Sequence, residues 1–267
     1  MSNRQFLVVA RVGDYSLHPQ WLAGADRNFD VYLSYFGDSP EKYKGSTEFY
    51  EEAKGGKWPV IAEIVNKNAE LIGGYCAVWF PDDDLLMSTA SINRMFNLFA
   101  GLDLALGQPA LTLDSHVLYV GLIAQPLCVA RYVNFIEIMA PIFSKNCLDT
   151  LKHTFSQSPS GWGLDTLWPL LLGHGNMAVL DCTPMTHTRP MMGGELYKNN
   201  VLSPKDDQKK IADLYPHLAV LPNGKARKLH IDAFVMAITL SPIIAKLVST
   251  VVRKINRRKY KSSARWH

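Results

Sequence analysis

Three consecutive carboxylates, Asp82, Asp83 and Asp84, follow the apolar run YCAVWF and Pro81, and no basic residue comes close behind to neutralise them. Like charges side by side repel, so a partner from elsewhere is expected. Hard carboxylate oxygens at a strand tip suit Mg²⁺ or Mn²⁺, which takes one or two protein carboxylates and fills its remaining positions with water and substrate phosphates. Asp82 and Asp84, two residues apart, are the expected ligand pair. The plainer reading is a helix N-terminus, where acids complement the positive end of the dipole.

Such acids need elements to hold them. The runs QFLVVARV and VYLSYF are apolar, rich in β-branched and aromatic residues, and end at Gly13-Asp14 and Gly37-Asp38, which predicts two buried parallel strands. SLHPQWLAGA predicts a short helix, WPVIAEIVNKNAELI a core-facing helix, and YCAVWF a third strand. Behind a Ser/Thr cap, STASINRMFNLFAGLDLAL carries apolar residues at helical spacing. Asp14, Asp38 and the three acids thus all stand at the C-terminal ends of strands, where open α/β sheets bind ligands.

Further along, PALTLD and LCVARYVNFIEIMA read as strands, Pro141 to about Phe155 as a helix, and SQSPSGWGLDTLW as a loop opening a helix that ends at Leu172. MAVLD is a strand leading into the loop CTPMTHTRPMMGG. Two regions are expected: a catalytic α/β domain over 1–200, and a helical extension over 201–267 ending in an amphipathic helix and the basic run RKINRRKYKSSAR. The uncharged stretch from Ala233 to Ala245 is shorter than the roughly 20 residues that span a bilayer. It is expected to lie at an anionic membrane surface or to dock on protein.

Length and composition agree with this. A chain of 267 residues with 48% hydrophobic content can bury a large core, and the net charge of +4 (pI about 8.8) gathers toward the C-terminus. The four cysteines are far apart and show no CxxC spacing, which argues against a thiolate metal site and for a reducing compartment. There is no P-loop and no HExxH, and outside the basic tail the chain lacks the basic stripe with interleaved aromatics of a nucleic-acid binder. A cytoplasmic location is expected, peripheral at the inner face of a membrane if the C-terminal helix meets lipid.

The motif VWFPDDDLL resembles the DxD motif of GT-A-type glycosyltransferases. SGWGLD resembles the tryptophan-glycine-acid loop beside the acceptor in galactosyltransferase-like enzymes, and PMTHTRP supplies a histidine after a late strand. The order of strand-one Asp, strand-two Asp, DxD, WG-acid loop and late His is similar to the GT-A arrangement over about residues 4–195. GGKWPVI, FPDDD, EIMAPIFS and GWGLD together resemble a family of plant and bacterial proteins assigned a glycosyltransferase-like fold.

The resemblance implies a GT-A-like, Rossmann-like sheet, mixed and mostly parallel, flanked by helices. It also implies transfer of a sugar from a nucleotide-diphosphate donor, UDP-type, to a carbohydrate or lipid-linked acceptor, in a setting such as surface-polysaccharide synthesis. On this reading Asp82, Asp84 and His187 bind Mn²⁺ or Mg²⁺, with Asp83 turned aside beside the cofactor site. His187 is otherwise a hydrogen-bonded loop histidine. Asp165 becomes the general base and Trp162, next to Gly163, a stacking surface for the acceptor; the plainer role for Asp165 is an N-cap.

Arg11, Asp14 and Asp38 line the nucleotide end, although Gly-Asp pairs are also ordinary turn formers. Lys57 meets the diphosphate or stays a solvated surface lysine. Glu137, in an apolar run, contacts the acceptor or pairs with Arg131 or Arg189. The galactosyltransferase loop carries a Glu-Asp pair where this chain has Leu164 and Asp165, so the base and the stereochemical course are left open. Another metal-dependent phosphate-handling enzyme and a non-catalytic nucleotide-sugar-binding protein are the rival readings.

Overall fold

In the computed structural model, β1 (Phe6–Val12) pairs in parallel with β2 (Phe29–Tyr35) on one side and β4 (Ala77–Trp79) on the other. The structure describes residues 3–173, 175–190, 204–218, 220, 229 and 231–236, together with 247, 250, 251 and 254. Every residue of β1 and β2 is buried. Burial on both faces is why these strands read as continuous apolar runs and not as alternating ones. β3 (Phe49–Glu52), which the sequence did not announce, adds in parallel to the far side of β2.

On the other side of β4 the sheet becomes mixed. β8 (Ile142–Ser144) lies antiparallel between β4 and β6 (Leu106–Leu111), and β6 pairs in parallel with β9 (Met177–His187). β7 (Cys128–Val133) runs antiparallel to β9, and β10 (Ile231–Met236) antiparallel to β7. The full order is β10-β7-β9-β6-β8-β4-β1-β2-β3, and the two-residue β5 (Leu85–Leu86) pairs with the end of β9. Pro109, mid-strand in β6, coincides with a register shift, the place where a sheet tolerates a missing donor.

Helices α1 (His18–Trp21), α2 (Lys57–Lys67), α3 (Ala69–Ile72) and α4 (Thr89–Gly101) fall where the apolar spacing put them. Ser88 caps α4 by accepting from the Ser91 amide at 3.2 Å. The helix expected from Pro141 is a strand first: Ile142–Ser144 forms β8, and Ser144 then caps α5 (Lys145–Leu151). The loop expected after Asp181 is strand as far as His187, because β5 offers it a partner.

α6 (Leu164–Leu171) and α7 (Pro204–Leu214) pack on each other, and β10 extends the main sheet. Ile231–Met236, expected to open the C-terminal amphipathic helix, is a strand. The basic run beyond it lies outside the described residues save for Lys254. Among the described residues no helix is long and apolar enough to cross a membrane.

One aromatic cluster fixes the elements that carry the candidate site. Trp58 of α2 meets Phe155 at 4.9 Å and Trp168 of α6 at 5.1 Å between ring centroids, and Trp168 meets Phe143 of β8 at 5.1 Å. Such edge-on pairs contribute about 0.5–1.5 kcal/mol each beyond their buried area. As expected, Trp58, Trp79 and Trp168 are core. Lys57 adjoins Trp58 and Asp165 lies three residues before Trp168 on the same helix, so the cluster sets where both side chains start.

Candidate functional site

Backbone pairing brings the acids to the histidine. β5 places Leu85 opposite His187, and Thr188 donates its amide to the Asp84 carbonyl at 3.1 Å. The Asp84 carboxylate consequently stands 3.2 Å from His187 Nε2 through Oδ2. Its other oxygen, Oδ1, is buried and takes no hydrogen bond among the described residues. His187 Nδ1 lies 2.8 Å from the His116 carbonyl, which can only accept, so Nδ1 carries a proton and Nε2 is turned to Asp84. Burial pulls the His187 pKa down, but the bond and charge of Asp84 outweigh it and push the pKa up to about 9.

Asp83 does turn aside. Its Oδ2 accepts from the Gly13 amide at 2.8 Å and its Oδ1 from Arg189 at 3.1 Å, tying the end of β1 to the end of β4. Burial raises its pKa, with Gly13 and Arg189 acting against that. Asp82 faces the other way and binds Lys57 Nζ at 2.6 Å. The protein packed round the Asp82 carboxyl raises its pKa, although 38% of the side chain stays accessible.

The remaining donors of Lys57 reach the carbonyls of Ile138 (3.0 Å) and Met139 (2.9 Å). Its ammonium therefore fastens α2 to the acidic turn and to the segment carrying Glu137. Glu137 itself is 7% exposed, its Oε2 takes no hydrogen bond among the described residues, and its amide donates to Gln108 Oε1 at 2.6 Å. The pairing expected with Arg131 or Arg189 is not made: Arg131 holds Asp181 at 2.8 Å with both side chains fully buried, and Arg189 holds Asp83. Burial pushes the Glu137 pKa up to about 8, the nearby Asp165 adding to it.

Asp165 sits in the first turn of α6, but the cap position is Gly163, so the N-cap role is not its own. Burial raises its pKa to about 7 against the pull of the Thr166, Gly163 and Asp165 amides. Burial, and after it the charges of Asp165 and Glu137, push up the phenol of Tyr119. The Trp162 ring is half-buried at the turn just before them. The glycines around it are required by backbone: Gly161 has φ +82° and Gly163 φ +94°, and a Cβ on Gly161 would lie 2.3 Å from the Trp58 ring.

The nucleotide-end residues divide. Asp14 organises its loop, accepting from Tyr35 Oη at 2.5 Å and from the Asp38 amide at 2.9 Å. The Tyr35 bond is the main reason its pKa falls to about 2. Asp38 points outward, 86% exposed, to Lys54. Arg11 is buried, donating to Ser34 Oγ (2.8 Å), Ala53 O (2.7 Å) and Gly55 O (2.9 Å), and burial lowers its pKa to about 10, where it stays cationic at neutral pH. It braces β1 against β2 and the turn before α2.

Sequence reasoning missed three participants, Tyr15, Gln108 and Asp207. Arg189 also donates to the Tyr15 carbonyl, and Tyr15 beside Asp14 is 85% exposed. Gln108 orients the Glu137 backbone, and Asp207 of α7 accepts from the Ser160 amide at 2.8 Å. The signal for Asp207 was the start SPKDDQKKIADL, a Pro-led helix with acids in its first turn.

No protein-family model matches the sequence, and no curated protein matches it. Solved structures do. The chain aligns with a crystal structure of Staphylococcus aureus TarS, residues 1–349, in complex with UDP-GlcNAc, at 12% identity and a TM-score of 0.53 over 81% of this chain and 68% of that one. The fold is GT-A-like. A longer TarS structure is matched at 10% identity and a TM-score of 0.47, over 80% of this chain and 43% of that one. In the GT-A-like fold the acids of FPDDD, His187 and Asp165 lie about one end of the central sheet's strands.

Whether the side chains suit a divalent cation is tested by Asp84 and His187. An orphaned buried oxygen beside an imidazole whose far nitrogen is fixed by a carbonyl is how ligands are oriented from behind. Among the described residues no group of three His, Cys, Asp or Glu side chains stands close enough to hold a metal. Lys57 takes Asp82 away from the expected trio. Asp84 and His187 alone would leave most positions of a Mg²⁺ or Mn²⁺ ion to water and phosphate oxygens, the usual arrangement for these cations.

Proposed function

We propose that the chain is a glycosyltransferase that takes a UDP-sugar donor with Mn²⁺ or Mg²⁺ and transfers the sugar to a hydroxyl of a carbohydrate or lipid-linked acceptor. The observation that carries this reading is the Asp84–His187 pair at 3.2 Å, set by β5–β9 pairing at the tip of the acidic turn. The shared fold with TarS, whose structure holds UDP-GlcNAc, supports the donor class. The similarity of FPDDD and GWGLD to plant and bacterial glycosyltransferase-like proteins belongs to the same reading.

Asp84 and His187 would hold the cation, which when bound neutralises the diphosphate and makes it a better leaving group. Lys57 keeps Asp82 and the 138–139 carbonyls in fixed relation beside it. Asp14 shapes the loop that receives the nucleotide, with the exposed Tyr15 ring as a face for its base. Asp165 takes the proton from the acceptor hydroxyl, since a base works best when its pKa lies near the operating pH. Glu137, held neutral near pH 7, donates a hydrogen bond to the acceptor while Trp162 offers a stacking surface. The site would work at the cytoplasmic face of a membrane, through the C-terminal basic run.

Release of UDP from UDP-GlcNAc and other UDP-sugars, followed with and without Mn²⁺ over a panel of sugar acceptors, tests the proposal. Turnover is expected with one donor at least, and its loss in Asp165→Asn with UDP affinity kept. Tight UDP binding with no turnover on any acceptor would replace the enzyme with a nucleotide-sugar-binding protein.

A further inference from the structure

Helix α7 lies against the turn that carries Trp162 and leads into Asp165. Asp207, 2% exposed in the first turn of α7, accepts from the Ser160 amide at 2.8 Å. One turn of chain later, the Cα of Gly163 stands so close to α7 that an added Cβ would lie 3.2 Å from the Gln208 Cα and 3.1 Å from the Ile211 Cβ. Tyr215, just beyond α7, donates to Gln157 Oε1 at 3.0 Å. From the other side, Trp58 leaves no room beyond a hydrogen on Gly161. The turn is therefore gripped at residues 157, 160, 161 and 163, and the half-buried Trp162 projects from between the grips.

A buried carboxylate is a costly way to hold a backbone amide, since apolar packing would hold a loop without desolvating a charge. What it adds is direction. The Ser160 amide must point at one fixed oxygen, and that fixes the path by which the chain enters α6 at Gly163, two residues before Asp165.

We infer that Asp207 is a positioning residue for the acceptor side of the site: through the Ser160 amide it sets the turn that places Trp162 and the general base Asp165. This rests on the reading of Asp165 given above. It also makes α7, from beyond residue 200, part of the working enzyme.

The test compares full-length wild type, Asp207→Ala and Asp207→Asn, the last of which keeps an acceptor oxygen for the Ser160 amide. Three quantities are measured: UDP release from UDP-GlcNAc, UDP affinity by calorimetry, and amide hydrogen exchange. Asp207→Ala is expected to lose on the order of 10²-fold in UDP release, the scale of an ångström of misplacement. Its UDP affinity should be unchanged and faster exchange confined to residues 158–165, with Asp207→Asn restoring both rate and protection. A Asp207→Ala protein as fast as wild type, or one whose UDP affinity falls in step with its rate, would overturn the inference while leaving the glycosyltransferase reading intact. A wild type that binds no UDP would fail that reading itself and remove the inference with it.

Discussion

Asp165 and Glu137 are placed where function and stability oppose each other. An aspartate that ionises near 4 in the unfolded chain and near 7 in the fold binds more protons folded than unfolded between those values, so stability falls as pH rises through that window. Below about pH 4 the effect vanishes, and above about pH 7 the penalty is complete. Asp165→Asn is therefore expected to melt higher than wild type at pH 8 and no higher at pH 4, which thermal denaturation at the two pH values would show. The same substitution should remove turnover by on the order of 10²–10⁴-fold, the usual weight of a general base. In the wild type the rate should rise with pH through about 7, because the proton acceptor must be ionised; a rate that falls over that range would exclude Asp165 from the role.

At the scale of elements, the turn and the strand pairing that shape the site rest on a few backbone-determined positions. Gly161→Ala forces a left-handed φ on a residue with a Cβ and drives that Cβ into Trp58, so a loss of about 1–3 kcal/mol is expected in urea denaturation. The buried Arg131–Asp181 pair joins β7 to β9, the strand that ends on His187. Arg131→Met would leave Asp181 without its cation, with only the Gln125 amide donating to it at 2.8 Å, and is expected to cost about 3–5 kcal/mol, while Arg131→Met combined with Asp181→Leu should recover most of it. An equal loss in the single and double variants would show that the pair contributes shape only.

Local signals made β1, β2, α2 and the Ser88-capped α4 legible, because each carries its own periodicity and stop residues. Ile142–Ser144 offers no local cue for a strand: three residues have no period, and their strand character comes from β4 and β6 on either side. The last residues of β9 and all of β10 are strands for the same reason, paired to β5 and β7. Of the candidate site, FPDDD and the late His187 stand out in the sequence and the structure brings Asp84 to His187, whereas the capture of Asp82 by Lys57 and of Asp83 by Gly13 and Arg189 depends on contacts more than 20 residues apart in sequence.

For the whole molecule, the sheet and the Trp58–Phe155–Trp168 cluster form one body on which three separated stretches meet: the acidic turn, the end of β9, and the turn before α6. On the proposed reading, that convergence would let Asp84 and His187 serve the donor while Asp165 and Glu137 serve the acceptor. The central claim, a divalent cation held by Asp84 and His187 together with a nucleotide diphosphate, is open to a direct measurement. Mn²⁺ binding is followed by its electron paramagnetic resonance signal in the presence and absence of UDP, on wild type, Asp84→Ala and His187→Ala. The account predicts that wild type takes up Mn²⁺ more tightly with UDP than without it, and that either substitution abolishes the gain. Mn²⁺ uptake that ignores UDP, or that survives both substitutions, would contradict it.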